Sequence, residues 1–240
     1  MFREIKKKQI ILENRKPYNS QTCGYISELD RTDWVYSSMR LDGSALAKHQ
    51  VERILKGEFI ESANLNEHVV IEKHHSLFKA CNDMLALSCS LNKEMILSFA
   101  QKLTEDTGAC YRKENPVLVS LSYNPPHPSE IEEQMDILMN WFYSDDMETN
   151  PVLKAACLHN RIIEIYPFDL YSEAIARAAM YYFLMERGYH PFELNLSEQE
   201  YNTAIAEYLK NESSESFYSA VERGVYNKME VLMQLTESLE

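Results

Sequence analysis

The chain has 240 residues, 45% hydrophobic and 25% charged, the balance of a folded globular protein with enough apolar side chain for a sizeable core. Its 24 Lys and Arg stand against 37 Asp and Glu, a formal charge of −13 that repels nucleic acid and anionic membrane surfaces. Six Gly and eight Pro are too few turn formers for a many-stranded sandwich or barrel, so a mostly helical, all-α fold is expected.

Lys6, Lys7 and Lys8 near the start are not followed by an apolar block, so no secretory signal is expected. No stretch approaches the ~18 apolar residues of a spanning helix. Cys23, Cys81, Cys89, Cys110 and Cys157 are odd in number and contain no C-x-x-C pair, which fits neither a disulfide framework nor a zinc ribbon. Reduced thiols in a cytoplasm are the simplest expectation.

The first clear helical pattern has Ser44 before Ala47, Val51, Ile54 and Leu55, with Gly57 at the stop. A second covers about 66–88 and a third runs from Asn92 to about Asp106. His68, His74 and His75 share the second pattern, but no two are three or four residues apart, so they make no ligand face and no metal site is expected. Val117, Leu118, Val119, Ser120 and Leu121 follow Asn115-Pro116 as a β-branched, apolar run and are expected to form the second strand of a small hairpin.

Ser129 and Glu132 have capping-box spacing ahead of a stripe of Ile131, Met135, Leu138, Met139 and Phe142. From Val152 to Ile165 nearly every side is apolar, the pattern of a central buried helix. His159 and Cys157 on that helix are expected to be a core histidine and a small core hydrophobe. Pro167 cannot continue the helix, which makes Tyr166 to Tyr171 a loop. Ser172 is then the expected cap of the next helix, with Gly188 past its end. Further helices are expected over Ser197–Lys210 and through Val221, Val225, Met229, Leu232 and Leu239.

A loop between a buried helix and the N-terminus of the next is suited to anions, because the first amide groups there lack helical partners. This loop and its flanks, from about Gly108 to Asn195, resemble the core of the Fic (Fido) family, most of whose members transfer AMP from ATP to protein hydroxyls. The family motif is H-P-F-x-[DE]-G-N-G-R-x-x-R. Tyr111, Arg112 and the Val117, Leu118, Val119 run resemble the family's target-docking flap, and Gly188-Tyr189-His190-Pro191 resembles its usual exit. Upstream, Ser38-Met39-Arg40-Leu41-Asp42-Gly43 resembles the inhibitory motif [ST]-x-x-x-E-[GN], with Asp in place of Glu. The resemblance implies the all-α Fic/Fido fold with a small β-hairpin flap, divided into a helical extension (1–60), a core (61–210) and a packed C-terminal helix (211–240).

Within the loop, Pro167, Phe168 and Arg177 keep the motif and the other positions depart from it. Tyr166 stands where the family has the His that takes the target's proton. A phenol with a reference pKa of about 10 is a poor base at neutral pH. Leu170 stands for the acidic residue that holds magnesium and offers no oxygen. Tyr171, Ser172 and Glu173 replace the Gly-Asn-Gly cradle with bulk and a negative charge, and Ala174 replaces the first motif Arg. Loss of a positioned base alone costs on the order of 10²- to 10⁴-fold in rate.

The expected function is therefore a Fic-fold pseudoenzyme that binds a protein through its flap, with no cofactor and no nucleic-acid or membrane partner. A homo-oligomer is left open. The alternative is a divergent nucleotidyl or phosphate-group transferase acting on protein hydroxyls, which would use ATP and magnesium. Ser38, Asp42, Gly43 and Arg177 are the regulatory candidates. The plainer role of an Asp42–Arg177 pair is an interhelical ion pair that fixes the N-terminal helix on the core.

Overall fold

The computed structural model describes residues 1–118, 121–144 and 150–237. The described residues form ten α-helices: α1 (Phe2–Asn14), α2 (Ser20–Leu41), α3 (Lys48–Leu55), α4 (Leu65–Ala86), α5 (Lys93–Thr104), α6 (Ile131–Tyr143), α7 (Pro151–Ile165), α8 (Ser172–Glu186), α9 (Glu198–Asn211) and α10 (Glu215–Glu237). The all-α class follows from the sequence as expected. None of these helices is long and apolar enough to cross a membrane.

The antiparallel pair α7 and α8 forms the centre. Val152, Ala155, Ala156, Leu158, Ile162 and Ile163 of α7 are fully buried, as are Ile175, Ala176, Ala179, Met180 and Tyr182 of α8. Apolar residues on nearly every side of these two helices leave α7 only a half-buried stripe through Leu153, Cys157, Arg161 and Glu164, so the others wrap the pair. α4, α5 and α6 cover one flank, α9 and α10 the other, and α1 lies along α10. Trp34 of α2 reaches Phe78 of α4 at 5.6 Å and Tyr181 of α8 at 5.1 Å between ring centroids, joining three helices in one aromatic contact.

A buried ionic cluster fastens the remaining elements. Lys228 of α10 lies 2.8 Å from Asp30 and 2.7 Å from Asp33 of α2, and Lys48 at the start of α3 lies 2.5 Å from Asp33. His190, in the segment after α8, meets Asp30 at 2.7 Å. On α10, Gly224 lets that segment approach: a Cβ there would overlap the Phe192 ring.

Several helix starts differ from the sequence reading. Ala47 rather than Ser44 precedes α3, its amide capped by the Gln50 carboxamide at 2.8 Å, while Ser44 donates to Glu67 of α4. The box before α6 is formed two residues early: the His127 amide donates to Glu130, because Pro128 presets a 3-10 turn over Pro128–Glu130. Tyr171 occupies the cap position of α8, and the Ser172 hydroxyl instead bonds the backbone of Phe168. The expected hairpin appears among the described residues only as an isolated antiparallel bridge between Leu118 and Tyr123. Val119 lies outside the described residues.

Candidate functional site

The loop joining α7 to α8 is bracketed by two non-glycine residues in the left-handed region, Tyr166 at φ 47° and Tyr171 at φ 63°. Such conformations cost energy and persist only where the surroundings enforce them. Arg112 supplies much of the enforcement. It is buried, and its guanidinium donates to the carbonyls of Tyr166 at 2.7 Å and Pro126 at 2.5 Å and to the Asn115 side chain at 2.6 Å. Its own amide donates to the Pro167 carbonyl at 2.9 Å. Placed on the flap by sequence, Arg112 is spent on capping the C-terminal end of α7 and has no face for a partner.

Phe168 is buried against Tyr111, with ring centroids 5.6 Å apart. Leu170 points away from the core and is 62% exposed. Tyr166 is largely buried and donates its hydroxyl to Glu173 at 2.9 Å. Burial and the adjoining carboxylate both hold its phenol well above the ordinary tyrosine range, so it stays protonated. Val117, on the other side of the loop, is exposed, and Leu118 is half-buried.

Asp42, at the end of α2, meets Arg177 of α8 at 2.6 Å. Arg177 is fully buried and also donates to the Tyr201 hydroxyl at 3.3 Å. Burial works against its charge, and Asp42 with Tyr201 more than offsets that, so its pKa lies above the usual arginine value. Ser38 is buried and offers its carbonyl to Arg177 at 3.5 Å. Gly43 follows at φ 87° beneath Glu198 of α9.

Between α2, α4 and the start of α8 is a cavity of about 490 Å³. Asp42, Glu67 and Glu173 face it together with Tyr171, and no Lys, Arg or His is among its lining residues. A second hollow of about 560 Å³ lies across the loop, against Tyr111, Lys113, Phe168 and Leu170. Sequence brings Asp42, Tyr171, Glu173 and Ala174 to the first cavity, whereas Phe168, Leu170 and Tyr111 line the second.

Among the described residues no group of three His, Cys, Asp or Glu side chains could hold a metal ion. His74 is buried, its Nε2 without a hydrogen-bond partner, and burial lowers its pKa to about 4. His68 stacks on Phe59 with ring centroids 4.9 Å apart. His159 is fully buried, with Nε2 2.7 Å from the Tyr201 hydroxyl and Nδ1 3.0 Å from the Asn160 amide oxygen, and burial brings it to about 3. Cys157 is half-buried, its thiol pushed up by burial. Tyr201 and Glu67 are the two residues of this region that sequence reasoning missed. Tyr201 shows only an aromatic residue in a helical pattern, and Glu67 reads as the N3 partner of Asn64, a role it also fills.

Residues 90–184 match the model of the Fic/DOC family. A Nematostella vectensis protein named protein adenylyltransferase Fic is 32% identical over 76 residues, which are 31% of this chain and 18% of that protein. The match thus spans under a fifth of that relative's length. The crystal structure of a Fic domain containing signaling protein from Bacteroides thetaiotaomicron superposes with a TM-score of 0.78 at 19% identity, covering 98% of both chains. Residues 134–508 of Fic-1 from C. elegans give 0.79 at 16% identity, covering all of this chain and 72% of that one. These two likenesses carry the all-α fold, and the family match is carried by one segment of the chain, residues 90–184, which resembles the Fic/DOC family.

Proposed function

We propose that this Fic-domain protein binds a protein partner and does not transfer AMP. One observation carries the reading: the cavity beside the loop is faced by Asp42, Glu67 and Glu173 with no basic lining residue, while the nearby Arg177 is already committed to Asp42. A triphosphate brought there would meet like charge at close range in a poorly screened site. The lining residues therefore do not fit a magnesium nucleotide, and no transfer step is routed through one. Tyr166, at the position of the family's base, is a hydrogen-bond donor to Glu173, which leaves the loop without a proton acceptor of suitable strength.

Binding is assigned to the outer side of the loop. Leu170 is an exposed apolar side chain lining the hollow over Tyr111, Val117 is a second exposed apolar side chain, and an extended segment could pair with the backbone at Leu118. The net charge of −13 favours a protein over nucleic acid or an anionic membrane. The unpaired cysteines support a reducing, cytoplasmic setting.

Calorimetry with ATP and magnesium, followed by label transfer from [α-³²P]ATP onto the protein itself and onto lysate, tests the reading. No heat of binding at millimolar nucleotide and no label are expected. Magnesium-dependent binding with label transfer would instead establish the divergent transferase.

A further inference from the structure

Arg177 meets Asp42 through Nη2, and its other terminal nitrogen begins a chain of hydrogen bonds that runs away from the cavity into the core. Arg177 Nη1 lies 3.3 Å from the Tyr201 hydroxyl, which lies 2.7 Å from His159 Nε2. His159 Nδ1 lies 3.0 Å from Asn160 Oδ1, and Asn160 Nδ2 lies 3.1 Å from the Ser214 hydroxyl. Four elements contribute: α8, α9, α7 and the turn before α10.

The direction of every bond follows from the two ends of the run. A guanidinium can only donate, so the Tyr201 oxygen accepts from Arg177, and the Asn160 carbonyl oxygen can only accept, so the neutral His159 ring takes the Tyr201 hydrogen at Nε2. That nitrogen then carries a lone pair, and the imidazole proton sits on Nδ1, donating to the Asn160 carbonyl oxygen. The Asn160 amide group completes the run by donating to Ser214. Burial, which keeps His159 neutral down to about pH 3, agrees with this single tautomer. The His159 ring is also wedged by Phe217, stacked at 4.0 Å, so it cannot turn to offer the other nitrogen without repacking.

From this directionality we infer that Tyr201 and His159 are positioning residues that hold the Arg177 guanidinium in the core independently of Asp42, as a second lock on the same side chain. Arg177 also lies over the face of the Tyr201 ring, 5.3 Å from its centroid, so the phenol restrains it by its ring as well as its oxygen. Release of α2 therefore removes the Asp42 and Ser38 contacts on Nη2 and leaves the guanidinium in place. This goes beyond the partner-binding reading, and its test uses neither nucleotide nor partner, so each can fail without the other.

The test is ¹⁵N NMR of the histidine-labelled full chain, with the His159 signals assigned by their loss in His159→Gln. The wild type is expected to show one fixed tautomer with the proton on Nδ1, unchanged in Asp42→Asn. Tyr201→Phe is expected to abolish the fixed tautomer and to speed hydrogen exchange at the Arg177 side chain about tenfold, the equivalent of one lost hydrogen bond. A proton on Nε2 in the wild type, or collapse of the fixed tautomer in Asp42→Asn alone, would overturn the inference. Should Tyr201→Phe fail to fold, the wild-type and Asp42→Asn spectra still decide it.

Discussion

Tyr166 donates its phenolic hydrogen to the carboxylate of Glu173 across 2.9 Å, tying the last turn of α7 to the first turn of α8 over the loop between them. A hydrogen bond to a charged acceptor in a largely buried setting contributes about 1–2 kcal/mol. Tyr166→Phe and Glu173→Gln are therefore expected to destabilise the fold non-additively, with a coupling of about 1 kcal/mol in urea unfolding of both single variants and the double variant. Strict additivity would mean that the two side chains act separately.

Arg112 holds the left-handed turn at Tyr166 and the flap base with one planar fork. Arg112→Lys keeps the charge and loses the fork, so it is expected to rescue little of the loss caused by Arg112→Ala, about 3 kcal/mol or more for an unpaired buried network. Amide exchange over Tyr166–Leu170 should rise in both variants while exchange in α1 and α10 stays slow. Equal protection of this loop in Arg112→Lys and the wild type would show that charge alone suffices.

At Gly224 the space for a methyl group is taken by the Phe192 ring. Gly224→Ala gains helix propensity of about 1 kcal/mol and forces the ring aside at about 1–3 kcal/mol, so net destabilisation is expected. Phe192→Leu in the same chain should recover part of the loss, as read by thermal unfolding. A more stable Gly224→Ala protein would mean that the α8 exit segment moves freely off α10.

Two buried imidazoles set the acid response. His74 and His159 have pKa values lowered by burial to about 4 and about 3, against an ordinary histidine value of about 6.5. A lowered folded-state pKa gives stability that is complete above about pH 6.5 and is lost as pH falls toward the folded value, at up to about 1.4 kcal/mol per pH unit for each histidine. Urea midpoints are expected to fall between pH 6.5 and 4. His74→Leu should flatten that slope by about half, since its Nε2 has no hydrogen bond to lose. An unchanged slope would place the titration elsewhere.

The central helices were legible because burial on all sides leaves an unbroken apolar run from Val152 to Ile165, and Pro167 marks its end. The start of the chain was not. α2 buries Thr22, Asp30, Thr32, Asp33, Ser37 and Ser38, so its inward face is as polar as its outward one and gives no periodic signal. The loop's residue types were readable one by one, and the Asp42–Arg177 pair that the resemblance implied is present as an ion pair at 2.6 Å. Arg112 read as surface because nothing local distinguishes a guanidinium that caps carbonyls from one that faces water. The run from Tyr201 to Ser214 joins residues that are 42 and 54 positions from their partners on α7, a distance no local pattern spans.

The cluster around Lys228 makes the final helix a chemical requirement of the second one. Without α10, Asp30 and Asp33 would lose the Lys228 ammonium that bridges them, with Lys48 left on Asp33 and the His190 ring on Asp30, and Phe192 would lose the surface it rests on. A version trimmed only of α10 would thus be left with stranded carboxylates and an uncovered aromatic ring, and should be handled as an aggregation-prone fragment rather than a minimal domain.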